Sequence, residues 1–174
     1  MMTPRLLRNE DVQQYRAIRL AALHDSPWAF GSSPGDDRTE FYGFFDDLLD
    51  DPDHHIIVID HPDRAGELAC ILGLRREPAR KARHLASIWG VYTIPEMRGS
   101  GFARCALQYA IELASQWDTV CRIGLSASVR SVGAIALYES LGFVRWGTEP
   151  GVTRVGGEDI DEVHLSLSIS VGGD

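Results

Sequence analysis

Between positions 85 and 117 the chain passes from LASIWGVYTI, a run rich in apolar, β-branched and aromatic residues, through PEMRGSG into FARCALQYAIELASQW. In the last segment Ala103, Ala106, Leu107, Ala110, Ile111, Ala114 and Trp117 recur at helical spacing, so one broad flank of a helix starting near Phe102 must be buried. A glycine within a helix weakens it by about 1 kcal/mol relative to alanine. Gly99 and Gly101 therefore mark a place where bare backbone is needed. The first N–H groups of a helix have no partner inside it, and the macrodipole favours an anion there. A strand, the turn Arg98-Gly99-Ser100-Gly101 and a helix thus predict a phosphate cradle. It is not a Walker loop, because no Gly-Lys-Ser/Thr follows, nor a dinucleotide fingerprint, because Arg104 stands where the third glycine would be.

The rest of the chain reads as parts of one fold. PRLLR is a short first strand, and Val12, Tyr15, Ile18, Leu20 and Leu23 place a helix up to about His24, capped by Asn9 or Asp11. Pro27, Gly31, Pro34 and Gly35 mark a loop, and a second helix is expected over 39–49. HHIIVID, ELACILGLR and HLASIWGVYTI predict an antiparallel meander. After the glycine loop come the long helix, the strand TVCRIGLSA, a short helix VGAIALYESL ended by Gly142, and two closing strands, FVRWGT and EVHLSLSI. The order β-α-α-β-β-β-α-β-α-β-β is that of an α+β protein with helices laid on one sheet. A length of 174 residues, 44% of them hydrophobic, suits a single domain over 1–174.

Charge narrows the partners. A net charge of −8 argues against nucleic acid, which wants clustered Lys and Arg. An amine suits better, and residues 36–63 carry ten acidic side chains against Arg38 alone, an acidic lip if they are not simply a solvated surface. No apolar run reaches the roughly 20 residues that cross a bilayer and the N-terminus lacks a signal-peptide core, so the expectation is a cytoplasmic protein without membrane partners. Cys70, Cys105 and Cys121 are scattered, which fits reduced core thiols and no metal site.

A second motif joins the glycine loop. VRSVGAIALYESLGF, residues 129–143, lies about 30 positions downstream, and together the two stretches resemble the GNAT superfamily, the Gcn5-related N-acetyltransferases. The family's loop pattern is met by Arg98, Gly101 and Ala103, with Pro95 at the usual distance, and its later helix by Ala134, Leu137, Tyr138, Glu139, Leu141, Gly142 and Phe143. The resemblance covers residues 87–146 closely. It implies a GNAT fold: a mostly antiparallel mixed sheet of about seven strands with about four helices, whose splayed central strands hold acetyl-CoA.

The same resemblance implies roles. The backbone of Val91 and Thr93 would pair with the pantetheine arm, and the Arg98-Gly99-Ser100-Gly101-Phe102-Ala103 backbone would take the pyrophosphate, with Arg104 and Arg130 near the nucleotide. Tyr138 would stand near the CoA sulfur and donate a proton or hydrogen bond, while a backbone N–H near Val91 would stabilise the oxyanion. Two positions depart from the family pattern: Ser131 stands where many members have an asparagine, and no carboxylate occupies the strand before the loop. His84, Glu40, Glu149, Asp161 and Glu162 remain as possible bases. The acceptor site would fall on Trp28, Phe30, Phe41 and Tyr42 and on the last hairpin, favouring a polyamine, amino sugar or protein N-terminal amine. The expected activity is transfer of an acetyl group to a primary amine. The rivals are a non-catalytic acyl-CoA-binding or regulatory domain and a transferase of longer acyl groups. Open sheet edges make a homodimer compatible with the sequence.

Overall fold

The computed structural model describes residues 2–41 and 43–170. Seven strands form one sheet in the order β1-β2-β3-β4-β5-β7-β6. They are β1 (Arg5–Leu6), β2 (His54–Asp60), β3 (Leu68–Arg76), β4 (Leu85–Thr93), β5 (Arg122–Ser128), β6 (Val144–Val155) and β7 (Glu158–Ser168), joined with helices α1 (Val12–Asp25), α2 (Phe44–Leu49), α3 (Phe102–Ser115) and α4 (Val132–Ser140). All neighbouring strands are antiparallel except β4 and β5. This is the α+β order expected from the sequence.

Two differences are local. The second helix begins at Phe44 rather than at 39, because Gly43 takes φ +85°, a left-handed conformation that ends any helical run reaching it; Arg38–Glu40 forms a separate 3-10 turn. The first strand shrinks to Arg5–Leu6.

Each sheet face has its own core. On one, Phe102, Ala106, Leu107, Ala110 and Ala114 of α3 pack with Ile57, Leu72, Ile88, Ile123 and Leu165; alanines at the contact let the helix lie close to the strands. On the other, Tyr15, Ile18, Ala22 and Leu23 of α1 and Phe45 and Leu48 of α2 cover Ile56, Val58, Ile71 and Tyr92.

The junction of β4 and β5 positions the site. They pair in parallel over only three positions, Leu85 with Arg122, Ala86 with Ile123 and Ser87 with Gly124. Beyond that they part. On the far side of β4 the register slips: Gly73 faces Trp89 but Ile71 faces Tyr92, so β4 carries one extra residue. Gly90 lies within this bulge at φ +63°, a conformation glycine adopts without strain. Trp89 in turn lies flat across Gly73, where an added Cβ would come within 2.0 Å of the indole.

Gly73→Ala should therefore destabilise the protein by about 1–3 kcal/mol through forced displacement of Trp89. Gly147→Ala, with open space around it, should change stability by less than about 0.5 kcal/mol. Urea unfolding of the two variants beside the parent checks the contrast.

Candidate active site

Where β4 and β5 diverge, a groove of about 690 Å³ opens between β4, the glycine loop and the start of α4. The glycine loop forms one end. Gly99 and Gly101 sit at φ +74° and +91°, and the first bond of α3 runs from the Cys105 N–H to the Gly101 carbonyl at 2.9 Å. The N–H groups of Phe102, Ala103 and Arg104 thus have no acceptor within the helix. Three backbone donors therefore stand unpaired within the helix at this end of the groove.

Of the residues singled out by sequence, Val91, Thr93, Arg98, Gly99, Gly101, Phe102, Ala103, Ser131 and Tyr138 line this groove, as do Arg104 and Arg130. Ser100 is exposed on the turn and lies outside the groove wall. The Arg98 guanidinium turns back onto the protein: its Nε donates to the Thr93 carbonyl at 3.0 Å, another nitrogen pairs with Asp25, and the plane sits 5.4 Å from the Tyr92 ring. The side chain thereby fastens the loop to the end of β4 and to α1. Asp25 is held below the ordinary carboxylate range chiefly by this arginine. Ser131 takes the N-cap position of α4, yet its hydroxyl makes no capping bond and so remains available to the groove.

A smaller cavity of about 70 Å³ occupies the fork itself, lined by Trp89, Gly90 and Val91 on one side, Leu125 to Ser128 on the other, and Ser131 and Tyr138 at its mouth. Tyr138 is buried, and burial pushes its phenol above its ordinary pKa, which favours the protonated form. Among the described residues lining this cavity none is a carboxylate. The five candidate bases lie elsewhere: Glu149 pairs with His164 at 3.0 Å, Asp161 accepts from the Gly151 N–H at 2.9 Å, Glu40 accepts from the Gly35 N–H at 2.9 Å, and neither His84 nor Glu162 lines any of the three cavities described here.

On the opposite face of β4 is a third cavity, about 240 Å³, built from α1, the 32–39 loop, Phe44, His54, Arg75, Glu77, Ser87 and Trp89. It shares Trp89 with the fork. Of the aromatics expected around an acceptor, Trp28 and Phe30 line the groove, Phe41 is 57% exposed, and Tyr42 lies outside the described residues. Sequence reasoning missed the pair that shapes this cavity. Arg19 directs Nε and Nη2 to one oxygen of Asp37, at 3.0 and 2.7 Å, while the other oxygen accepts from the Thr39 N–H and hydroxyl. Burial pushes the Asp37 carboxyl up, but these bonds outweigh it and leave it below its usual range. Loss of either partner would strand a buried charge, at about 3–5 kcal/mol. Helical spacing alone gave no sign of it, since Arg19 sits amid α1's buried positions. The glycine between Trp89 and Val91 was a readable signal for the bulge.

Among the described residues no cluster of three His, Cys, Asp or Glu side chains is placed to hold a metal ion, and no helix is long and apolar enough to cross a membrane. The sequence model of the Acetyltransferase (GNAT) family matches residues 19–143. The chain belongs to that family, enzymes that move an acetyl group from acetyl-CoA to an amine. The L-amino acid N-acetyltransferase AaaT of Escherichia coli (strain K12) is 24% identical over 166 residues, 95% of this chain and 98% of that protein. The mycothiol acetyltransferase of Kocuria rhizophila is 37% identical over 62 residues, 36% of this chain; that match spans only 20% of the longer relative. In fold, the chain is similar to a GNAT superfamily phosphinothricin acetyltransferase from Sinorhizobium meliloti in complex with AcCoA, with a TM-score of 0.83, 17% identity, and coverage of 98% of this chain and 90% of that one.

The third cavity also makes a pH prediction. His54 is pushed down to about 4, first by burial and then by Arg75. The unfolded chain binds a proton on this residue near pH 6.5, so between about pH 6.5 and 4 the unfolded state holds more protons than the folded one. Stability is full above that window and is lost as pH falls through it. His54→Gln should flatten this part of the stability profile, measured by urea unfolding at pH 7.0, 5.5 and 4.5.

Proposed function

We propose that the chain transfers the acetyl group of acetyl-CoA directly to a primary amine, without an acyl-enzyme intermediate. The observation that carries this reading is the continuity of three spaces: an anion cradle at α3, an unpaired length of β4 next to it, and a fork cavity at whose mouth a buried, protonated Tyr138 stands.

In this reading the Phe102 to Arg104 amides and Arg130 bind the pyrophosphate end of the donor, and the β4 backbone at 91–93 pairs with its pantetheine arm. The thioester then lies in the fork beside Gly90. The amine nitrogen attacks the thioester carbon and the C–N bond forms; the oxygen gathers negative charge, which a backbone N–H near Val91 stabilises. As the C–S bond breaks, Tyr138 supplies a proton to the departing sulfur and regains one from solvent. The amine surrenders its proton to water, since the fork holds no carboxylate. The β4 bulge aims Trp89 and Gly90 toward the α1 face, so acceptor and donor approach from opposite faces of the sheet.

A binding-only domain would have no need of a tyrosine hydroxyl at the fork. Two variants separate the possibilities. Gly101→Glu places a carboxylate and a strained residue at the cradle and should abolish the melting shift produced by acetyl-CoA. Tyr138→Phe should keep that shift while lowering amine-dependent CoA release about 100-fold, in the range for loss of a positioned proton donor. Unchanged turnover in Tyr138→Phe would remove the tyrosine from the chemistry.

A further inference from the structure

The third cavity is not lined by the acidic lip that residues 36–63 offered as an alternative to a solvated surface. Of the ten acidic residues in 36–63 only Asp37 reaches it, and Arg19 already neutralises that one. Arg38 and Arg75 also line it and form no ion pair among the described residues, against Glu77 as the one remaining carboxylate there. In a chain of net charge −8, this wall is locally cationic.

Two buried side-chain atoms in its wall lack a partner, His54 Nε2 and Arg19 Nη1, and of the two Arg19 Nη1 is the obligate donor. The Arg19 side chain is 8% exposed, and Nε and Nη2 are engaged by Asp37, but Nη1 is buried with no hydrogen-bond acceptor. A buried guanidinium N–H left unpaired is unfavourable, so such atoms ordinarily meet protein, water or ligand. Its location is specific. Nη1 stands 3.6 Å from where a Cβ on Gly90 would be, and the guanidinium lies 4.7 Å from the Phe30 ring, a residue that lines the fork. The free donor therefore sits next to the β4 bulge, whose Trp89 lines both cavities.

Building on the acetyl-transfer reading above, we infer that the acceptor is an α-amino acid whose carboxylate binds Arg19 Nη1. The asymmetry of the arginine explains the assignment. Its fork serves Asp37 with two nitrogens, which fixes the plane, and presents the third to a ligand oxygen in a charge-assisted bond of about 2.7–2.9 Å. An α-amine is one carbon removed from its carboxylate, so anchoring the carboxylate beside Gly90 leaves the amine at the fork. A side-chain amine several carbons away would overshoot it. A polyamine would bring cations to a cationic wall, and a peptide N-terminus would offer a neutral amide where the carboxylate belongs.

The test uses the full chain, acetyl-CoA and a panel of the common L-amino acids, each assayed beside its own α-amide and its decarboxylated amine by release of free CoA thiol. At least one amino acid should exceed its amide by about 30-fold in kcat/KM, the range for a charge-assisted bond. Arg19→Lys can still neutralise Asp37 but has no third nitrogen; it should fold, and the carboxylate-to-amide ratio should fall below about threefold, chiefly through KM. A wild-type enzyme that turns over amides or amines with no preference for the carboxylate overturns this inference and leaves acetyl transfer standing, and so does an Arg19→Lys protein that keeps the full ratio. If acetyl-CoA produces no melting shift, the transfer reading fails and this inference with it; a shift with no member of the panel turned over overturns this inference alone. The wild-type ratio decides the matter even where the variant does not fold.

Discussion

Everything at the site follows from β4 and β5 ceasing to pair after three residues. A parallel pair within a sheet normally continues, because an unpaired backbone edge inside a protein leaves N–H and C=O groups without partners. Here β4 runs to Thr93 and β5 to Ser128, yet their register ends at Ser87 and Gly124. The bulge at Gly90 changes the course of β4 on one side of the gap, and α4 enters directly after β5 on the other. The result is a fork whose inner edge is backbone hydrogen-bonding capacity. An extended ligand arm carrying amides can satisfy it as a further strand would.

The sheet then separates two kinds of chemistry. On the α3 and α4 face lie free helix amides and Arg104 and Arg130, suited to a long anionic cofactor. On the α1 and α2 face lies a small cavity with Arg19 and Asp37 locked together behind it. The fork and this cavity share one wall residue, Trp89. Gly73 makes this arrangement possible, since a side chain there would collide with the Trp89 indole. Arg98 serves the same frame from below by tying the loop to Asp25 of α1 and to the Thr93 carbonyl, so the cradle and the first helix are mechanically linked.

The order of all eleven main elements was legible in the sequence, because long periodic segments such as 102–115 and apolar strand runs such as 54–60 carry their own signal. The groove was legible as well, since its lining derives from contiguous motifs: the turn at 98–103 and the helix at 131–143. The third cavity was not. Arg19, Asp37, His54, Arg75, Glu77 and Trp89 come from five separate segments and converge only when α1 and the 32–39 loop fold over β2, β3 and β4. Charge along the chain carried little information there for a physical reason: of the acidic stretch only Asp37 turns into the cavity, paired, while Asp53 and Asp60 pair with arginines elsewhere and most of the rest face solvent. The extent of α2 was overestimated because Gly43 interrupts a pattern whose aromatic spacing continues through it.

The fork depends on the unpaired edge of β4. Amide hydrogen exchange, followed by mass spectrometry with and without acetyl-CoA, measures that edge most directly. Residues 85–87, already paired with β5, should show little change, while 88–93 and the first turn of α3 should slow together on binding. Equal protection of 88–93 in the free and bound states, or slowing confined to the α1 face, would contradict the claim that the fork is where the donor binds.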